Sequence, residues 1–287
     1  MLENKRIAFI GAGSMAEAMI AGIVQSGKIP ANQIIVSNRS NRERLIQLEE
    51  AYGINGVTSD ELQHCQMDMI ILAMKPKDAE TALQSIRDFI QPHHIILSVL
   101  AGITTSFIEN FFPTGQQVIR VMPNTSSMIR ESATGISSGK YTLDENMVIA
   151  EKLLESIGKV YRIPEDKMDI FTGLAGSGPA YFYYLMEHME KQAANDGLSE
   201  ATAREIIAQT ILGAAKMIQN TKETPTVLRK KVTSPNGTTA AGLQALHIHG
   251  AGTAIEMAIS EAAERSHEIT TQLVKIRIPT KQNVPLD

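Results

Sequence analysis

The sequence predicts an α/β domain built on a doubly wound parallel sheet, followed by an all-α domain. Three observations carry this expectation. Across the first half, short apolar runs alternate with segments of helical periodicity, the pattern of strands joined by crossover helices. From about Glu165 to Leu273 no convincing strand pattern occurs, and apolar residues recur at helical spacing. The chain has 287 residues, which at roughly 150 residues per domain gives two domains. The boundary is expected near Pro164, giving an α/β domain over 1–164 and a helical domain over 165–278. The tail 279–287, with two prolines and mixed charge, is expected to be loose.

Each element follows from local pattern. Arg6–Ile10 (RIAFI) is a short apolar run ending at glycine and reads as the first strand. Ser14–Ser26 has helical spacing and stops at Gly27. Ile34–Ser37 (IIVS) reads as the second strand and Asn41–Glu50 as a polar helix. Met69–Met74 (MIILAM) is apolar throughout, as a strand covered on both faces must be. Asp78–Ile90 reads as a helix, Ile95–Val99 (IILSV) and Gln117–Met122 (QVIRVM) as strands, and Lys159–Ile163 (KVYRI) as the last strand. In the second half, Ala180–Asn195, Ser199–Asn220, Pro225–Val232, Thr238–His247 and Thr253–Leu273 read as helices. Ser199 stands at a helix start, and Thr224-Pro225 is a helix start with proline in the first turn.

Composition narrows the function classes. Hydrophobic residues make up 43% and charged residues 20%, which supports a packed core and excludes disorder of the whole chain. Aromatics are only 5%, too few for the stacking platforms of a single-strand nucleic-acid binder. The net charge of −4 offers no basic excess to nucleic acid or anionic lipid. Cys65 stands alone, so no internal disulfide or Cys-rich metal site is expected, and His247 and His249, two apart on a helix, do not share a face. No metal is therefore expected. The N-terminus lacks a secretory pattern and no run approaches the roughly 18 apolar residues of a membrane span, so a cytoplasmic protein without a membrane partner is expected.

The first strand runs into Gly11-Ala12-Gly13-Ser14-Met15-Ala16, a G-x-G-x-x-A pattern opening a helix. Gly11 permits a tight turn, Gly13 removes a side chain where a pyrophosphate must approach, and Ala16 lets helix and strand pack closely. The helix N-terminus offers unpaired N–H groups and a positive dipole end to phosphate. The alternative is an ordinary glycine-rich turn. The position between strand and helix favours a Rossmann-type dinucleotide site. Where an NAD site places a carboxylate, this chain has Ser37-Asn38-Arg39-Ser40. Arg39 suits a 2′-phosphate, so NADPH is the expected cofactor, with NADH also admitted; the alternative is a solvated loop arginine. Ala73, Met74, Lys75 and Pro76 leave the MIILAM strand at the crevice edge and read as cofactor wall, as do Ala101 and Asn124 after later strands.

Five segments together resemble the pyrroline-5-carboxylate reductase family: IGAGSMAEAM (10–19), LAMKP (72–76), VMPNTS (121–126), GLAGSGPAYFY (173–183) and VTSPNGTTAAGLQAL (232–246). The resemblance spans nearly the whole chain, and its last segment is the most specific. It implies an NAD(P)H-dependent oxidoreductase that reduces the C=N bond of 1-pyrroline-5-carboxylate to L-proline. It also implies a Rossmann domain followed by a helical dimerisation domain, with dimers that in many members build a decamer. By resemblance, the loop holding Ser234, Asn236, Gly237 and Thr238 binds the substrate carboxylate, and the Thr239 hydroxyl approaches the ring nitrogen. The residues alone also allow a helix-initiating turn with a threonine cap. By resemblance, Ser177 in AGSGPA lines the substrate site; the other reading is a packing hinge.

Three departures from the family pattern stand out. Asn236 replaces a glycine, which bears on substrate tolerance, although Asn accepts φ > 0 better than most residues. His247-Ile248-His249-Gly250 replaces an acidic stretch and a Gly-Gly pair, and an adenosine-ribose asparagine near Asp60 is not evident. The competing readings are a related imine or β-hydroxyacid reductase and a non-catalytic NADPH-binding paralogue. Small residues in 201–215 and 251–263 would let helices pack closely, so the second domain is expected to form an interlocked dimer core.

Overall fold

The computed structural model describes residues 2–276, with side-chain surroundings through Thr271. The chain divides into two compact units: residues up to Ser177 together with the chain from Glu261 onward, and Gly178–Ser260. The first unit takes in the segment from Pro164 to Ser177, and the end of the last helix belongs to the same unit. The expected tail 279–287 lies outside the described residues.

The first unit holds an eight-stranded sheet in the order β3-β2-β1-β4-β5-β6-β7-β8. The strands are β1 (Ile7–Ile10), β2 (Ile34–Ser37), β3 (Asn55–Val57), β4 (Met69–Leu72), β5 (Ile95–Ser98), β6 (Gln117–Met122), β7 (Ser132–Ser138) and β8 (Gly158–Arg162). All pairs are parallel except β6 with β7. Strand order reverses between β1 and β4, the topological switch point at which doubly wound sheets open a crevice.

Helices α1 (Ser14–Ser26), α2 (Arg42–Tyr52), α3 (Ser59–Leu62), α4 (Ala79–Ile86), α5 (Thr105–Glu109), α6 (Asp144–Leu154) and α7 (Met168–Phe171) complete this part of the chain. Alternation along β1 sends Ile7 and Phe9 into one apolar cluster, with Met19, Ile20, Leu45, Leu48 and Leu153. Ala8 goes to the other face, with Ile70, Leu83, Ile86, Phe107 and Ile108. Local signals set the helix ends. Gly27 closes α1 in the left-handed region at φ 68°, and the Asn41 side chain accepts the Arg44 N–H to cap α2.

Several elements differ from expectation. The helix read as 78–90 is a proline-started 3-10 turn, Pro76–Asp78, followed by α4, which ends at Ile86. β3, α3, α5, β7 and α6 were not expected. β7 (SATGISS) is built from small residues around one isoleucine, and its Gly135 lies where a Cβ would come within 2.8 Å of the Phe171 ring.

The second unit is helical: α8 (Gly178–Asn195), α9 (Glu200–Thr221), α10 (Pro225–Lys231), α11 (Thr238–Ile248) and the first part of α12 (Ala251–Ile276). Ser199 caps α9, and Thr224 with Pro225 starts α10, as the sequence predicts. Among the described residues of this unit, only Gly178, Ala203 and Ile207 are buried. No helix among the described residues is long and apolar enough to cross a membrane.

Candidate functional site

The crevice end of the sheet is laced by backbone hydrogen bonds. Gly11 N–H donates to the Ser37 carbonyl at 2.8 Å, and Ala73 N–H donates to the Ile10 carbonyl at 2.9 Å. Gly11 sits at φ +108°, and a Cβ there would lie 2.7 Å from the backbone of Ala73 and Met74. Only glycine permits this approach. Gly13, at the N-terminus of α1, is the opposite case: a Cβ would meet nothing within 4 Å, so its missing side chain opens space toward solvent. Gly13 provides no side-chain cap, and Ser14 beside it is exposed, which leaves first-turn N–H groups of α1 for an outside acceptor. Met15 is half-buried and Ala16 is buried against the sheet. This cradle fits a dinucleotide: a packed glycine, an open glycine and an uncapped helix start in sequence.

The remaining residues expected around it fall on the same edge of the sheet. Ser37 is buried at the end of β2, the Asn38 carboxamide bonds the Ser40 N–H, and Arg39 is exposed. Ala73 and Met74 follow β4, Lys75 is exposed, and Pro76 begins the 3-10 turn. Near Asp60 the chain forms a capping box between Thr58 and Glu61. The Thr58 N–H and hydroxyl bonds hold the exposed Glu61 carboxyl below its ordinary range.

Ala101 is half-buried, and the next residue, Gly102 (φ +72°), lies against Ile269 of α12. Asn124 is 7% exposed. Its carboxamide donates to the Ala175 carbonyl at 3.0 Å and accepts the Ser126 N–H at 3.1 Å. Asn124 therefore secures the π-helical turn Thr172–Gly176, which leads into Ser177. Ser177 is half-buried, and its N–H closes that turn on the Thr172 carbonyl. A Cβ on Gly178 would meet nothing, and one on Gly176 only ordinary contacts.

A buried cluster missed at the sequence level underlies this turn. Arg120 of β6 is 2% exposed, with its guanidinium 3.2 Å from Asp169 and 3.9 Å from Glu165. Asp169 also accepts the Ser266 hydroxyl at 2.7 Å, and Glu165 accepts the Thr105 N–H and hydroxyl, each at 2.8 Å. Ser266 is thus buried within the otherwise charge-rich stretch 261–268. The visible signal was a charged residue in the middle of QVIRVM.

In the second unit, Ser234, Asn236, Thr238 and Thr239 are exposed at the start of α11. Asn236 takes φ +58°, the left-handed conformation its replacement of glycine requires. Gly237 donates to the Ser234 carbonyl at 3.1 Å and leaves the first turn of α11 without a side-chain cap. A Cβ on Gly237 would run into the Ser234 hydroxyl.

A family model for pyrroline-5-carboxylate reductase dimerisation matches residues 165–269, and one for coenzyme F420-dependent NADP oxidoreductases matches residues 6–102. Pyrroline-5-carboxylate reductase 1 of Bacillus spizizenii is 58% identical over 97% of this chain and 94% of its own length. The chain belongs to the pyrroline-5-carboxylate reductase family. Pyrroline-5-carboxylate reductase 2 of Bacillus subtilis is 47% identical over 93% of the chain and 96% of its own length. A solved pyrroline-5-carboxylate reductase from Coxiella burnetii superposes with TM-score 0.84 at 30% identity, covering 93% of this chain and 99% of that one. The Plasmodium falciparum pyrroline carboxylate reductase, solved with NADP bound, gives TM-score 0.86 at 25% identity, covering 94% and 100%. As a member of this family the chain is an oxidoreductase that reduces 1-pyrroline-5-carboxylate to proline.

Proposed function

We propose that the chain takes NADPH in preference to NADH and binds the substrate carboxylate at the start of α11, with Thr239 orienting the ring. The observation that carries this reading is the uncapped, open N-terminus of α1 beside an end of β2 that bears Arg39 and no carboxylate. Gly11, Gly13, Ser14, Met15 and Ala16 hold the pyrophosphate, and Ser37, Asn38 and Arg39 take the 2′-phosphate end. Ala73, Met74, Lys75, Pro76 and Ala101 form the wall, with Asn124 holding the turn before Ser177. When bound, the reduced nicotinamide supplies a hydride.

The substrate is a cyclic imine with a carboxylate. N–H groups of the uncapped first turn of α11, with the Ser234 and Thr238 hydroxyls, suit the anion. The Thr239 hydroxyl does not titrate near neutral pH, so it is no strong acid. A protonated imine brings its own proton, and Thr239 Oγ accepts that N–H bond, fixing the ring while hydride adds to carbon and nitrogen keeps the proton as the amine.

Thr239→Ala is expected to lower kcat/KM for pyrroline-5-carboxylate about 10- to 100-fold, the worth of one hydrogen bond to a charged group at ~1.5–3 kcal/mol. NADPH affinity should stay unchanged and Thr239→Ser should restore most of the rate. The assay follows NADPH oxidation with pyrroline-5-carboxylate, a six-ring imine and a hydroxyacid-type substrate. Wild-type turnover in Thr239→Ala would remove Thr239 from the mechanism. Tight NADPH binding with no imine turnover would favour a non-catalytic role.

The second unit is proposed to pair with a second copy. Phe182, Tyr184, Leu246, Ile248 and Met257 are each more than half exposed, and so few residues are buried that the unit has almost no core of its own. That much apolar surface marks an interface. Light scattering on the dilute protein should give a dimer or a multiple of it. A stable, fully active monomer would overturn the proposal.

A further inference from the structure

Arg44 belongs to α2, yet its side chain reaches back to the glycine loop. Nε donates to the Ala12 carbonyl at 3.1 Å, Nη2 pairs with Glu17, and Nη1 donates to the Gln47 carboxamide at 3.4 Å. The Tyr52 hydroxyl donates to the other Glu17 oxygen at 3.2 Å. Arg44 and Glu17 are both about three-quarters buried. Burial, and then the charge of Glu17, push the Tyr52 hydroxyl above its ordinary range, so it remains a donor.

We propose that Arg44 is a positioning residue for the dinucleotide pyrophosphate: it orients the Ala12–Gly13 peptide and neutralises Glu17, and it does so equally for NADPH and NADH. Two physical arguments support this. A trans peptide is planar, with C=O and N–H on opposite sides. Turning the Ala12 carbonyl to Arg44 therefore turns the Gly13 N–H the other way. Glu17 lies in the first turn of α1, where a carboxylate competes with phosphate for the positive end of the helix. Paired with Arg44 and bonded to Tyr52, it is neutralised and held aside.

Arg44 also has all three guanidinium nitrogens engaged, whereas Arg39 is exposed and, among the described residues, makes no ion pair. The two arginines thus divide the labour. The inference rests on the reading of this loop as a dinucleotide site.

The test is direct binding of NADPH and of NADH by fluorescence titration, independent of turnover, on wild type, Arg44→Ala, Arg44→Lys, Glu17→Gln, Arg44→Ala with Glu17→Gln, and Arg39→Ala. Arg44→Ala should weaken both cofactors by the same factor, about tenfold or more for a lost charged contact. At saturating cofactor its kcat should be retained. Adding Glu17→Gln should recover part of the loss, because the orphaned carboxylate is gone. Arg39→Ala should weaken NADPH alone. If Arg44→Ala does not fold, Arg44→Lys decides by the same criterion, since it keeps the charge and loses the fork. Selective loss of NADPH would make Arg44 a 2′-phosphate ligand, and unchanged binding would leave it no role; either result overturns the proposal. Failure of the wild-type chain to bind either dinucleotide would instead refute the cofactor reading itself.

Discussion

Gly11→Ala is expected to remove dinucleotide binding and to lower the melting temperature, whereas Gly13→Ala removes binding alone. At Gly11 a methyl would sit 2.7 Å from the Ala73 carbonyl group and the Met74 nitrogen, all main-chain atoms. Neither partner can withdraw easily. The Gly11 N–H is tied to Ser37, Ala73 is tied to Ile10, and β1 and β4 are paired along their length, Ile10 opposite Leu72. The φ of +108° adds its own cost for an L side chain, of order 1–3 kcal/mol, and overpacking adds about as much again. Against a total stability of roughly 5–15 kcal/mol, a loss of several is large. At Gly13 a methyl meets nothing, and φ is −76°, which alanine adopts freely. Melting should therefore stay close to wild type while the methyl occupies the space a phosphate needs. Thermal melts and NADPH titration on the two variants separate fold from ligand. Wild-type NADPH affinity in Gly13→Ala would mean that the loop is not the phosphate cradle.

This contrast also explains what the sequence made legible. The roles of Gly11 and Gly13 are local, set by a strand, a turn and a helix within ten residues. The same locality made β1, α1, β2 and β6 readable to within a residue or so, with Gly27 closing α1 and Asn41 opening α2. β3 has three residues and β7 is made of Ser, Ala, Thr and Gly around one Ile, so neither carries an apolar run. α6 was readable in principle, since Met147, Ala150, Leu153 and Leu154 recur at helical spacing and are all buried.

The supporting groups were not legible for a different reason. Arg44 meets Ala12 across 32 positions and Asp169 meets Ser266 across 97, so no local pattern announces either contact. The start of α11 lies between these cases. Asn236 was recognised as fit for the left-handed conformation it adopts, but Thr239 took its role from the likeness of a whole segment.

The largest effect on stability is expected from Arg120→Ala. Arg120 is the one charged side chain in QVIRVM, and β6 places it almost wholly out of water. Its guanidinium stands between Glu165 and Asp169, and those carboxylates hold Thr105 and Ser266. Removing the cation leaves two half-buried carboxylates without their shared partner and opens a cavity behind them. Breaking such a pair costs ~3–5 kcal/mol, which at about 2–4 °C per kcal/mol lowers Tm by roughly 10 °C. Arg120→Met fills the cavity, so its loss should be smaller. Asp169→Asn keeps the shape and an acceptor for Ser266, so its loss should be the smallest of the three. A cavity effect alone would make Asp169→Asn neutral and Arg120→Met close to wild type; an electrostatic effect keeps both below it. The effect should reach the substrate before the cofactor. Asp169 lies in α7, which runs into the turn that Asn124 holds at Ala175 and that ends at Ser177. Measured well below the melting temperature, Arg120→Met should therefore raise KM for pyrroline-5-carboxylate while NADPH affinity stays near wild type. An Arg120→Ala melting temperature within about 2 °C of wild type would show that this buried pair contributes nothing net to the fold.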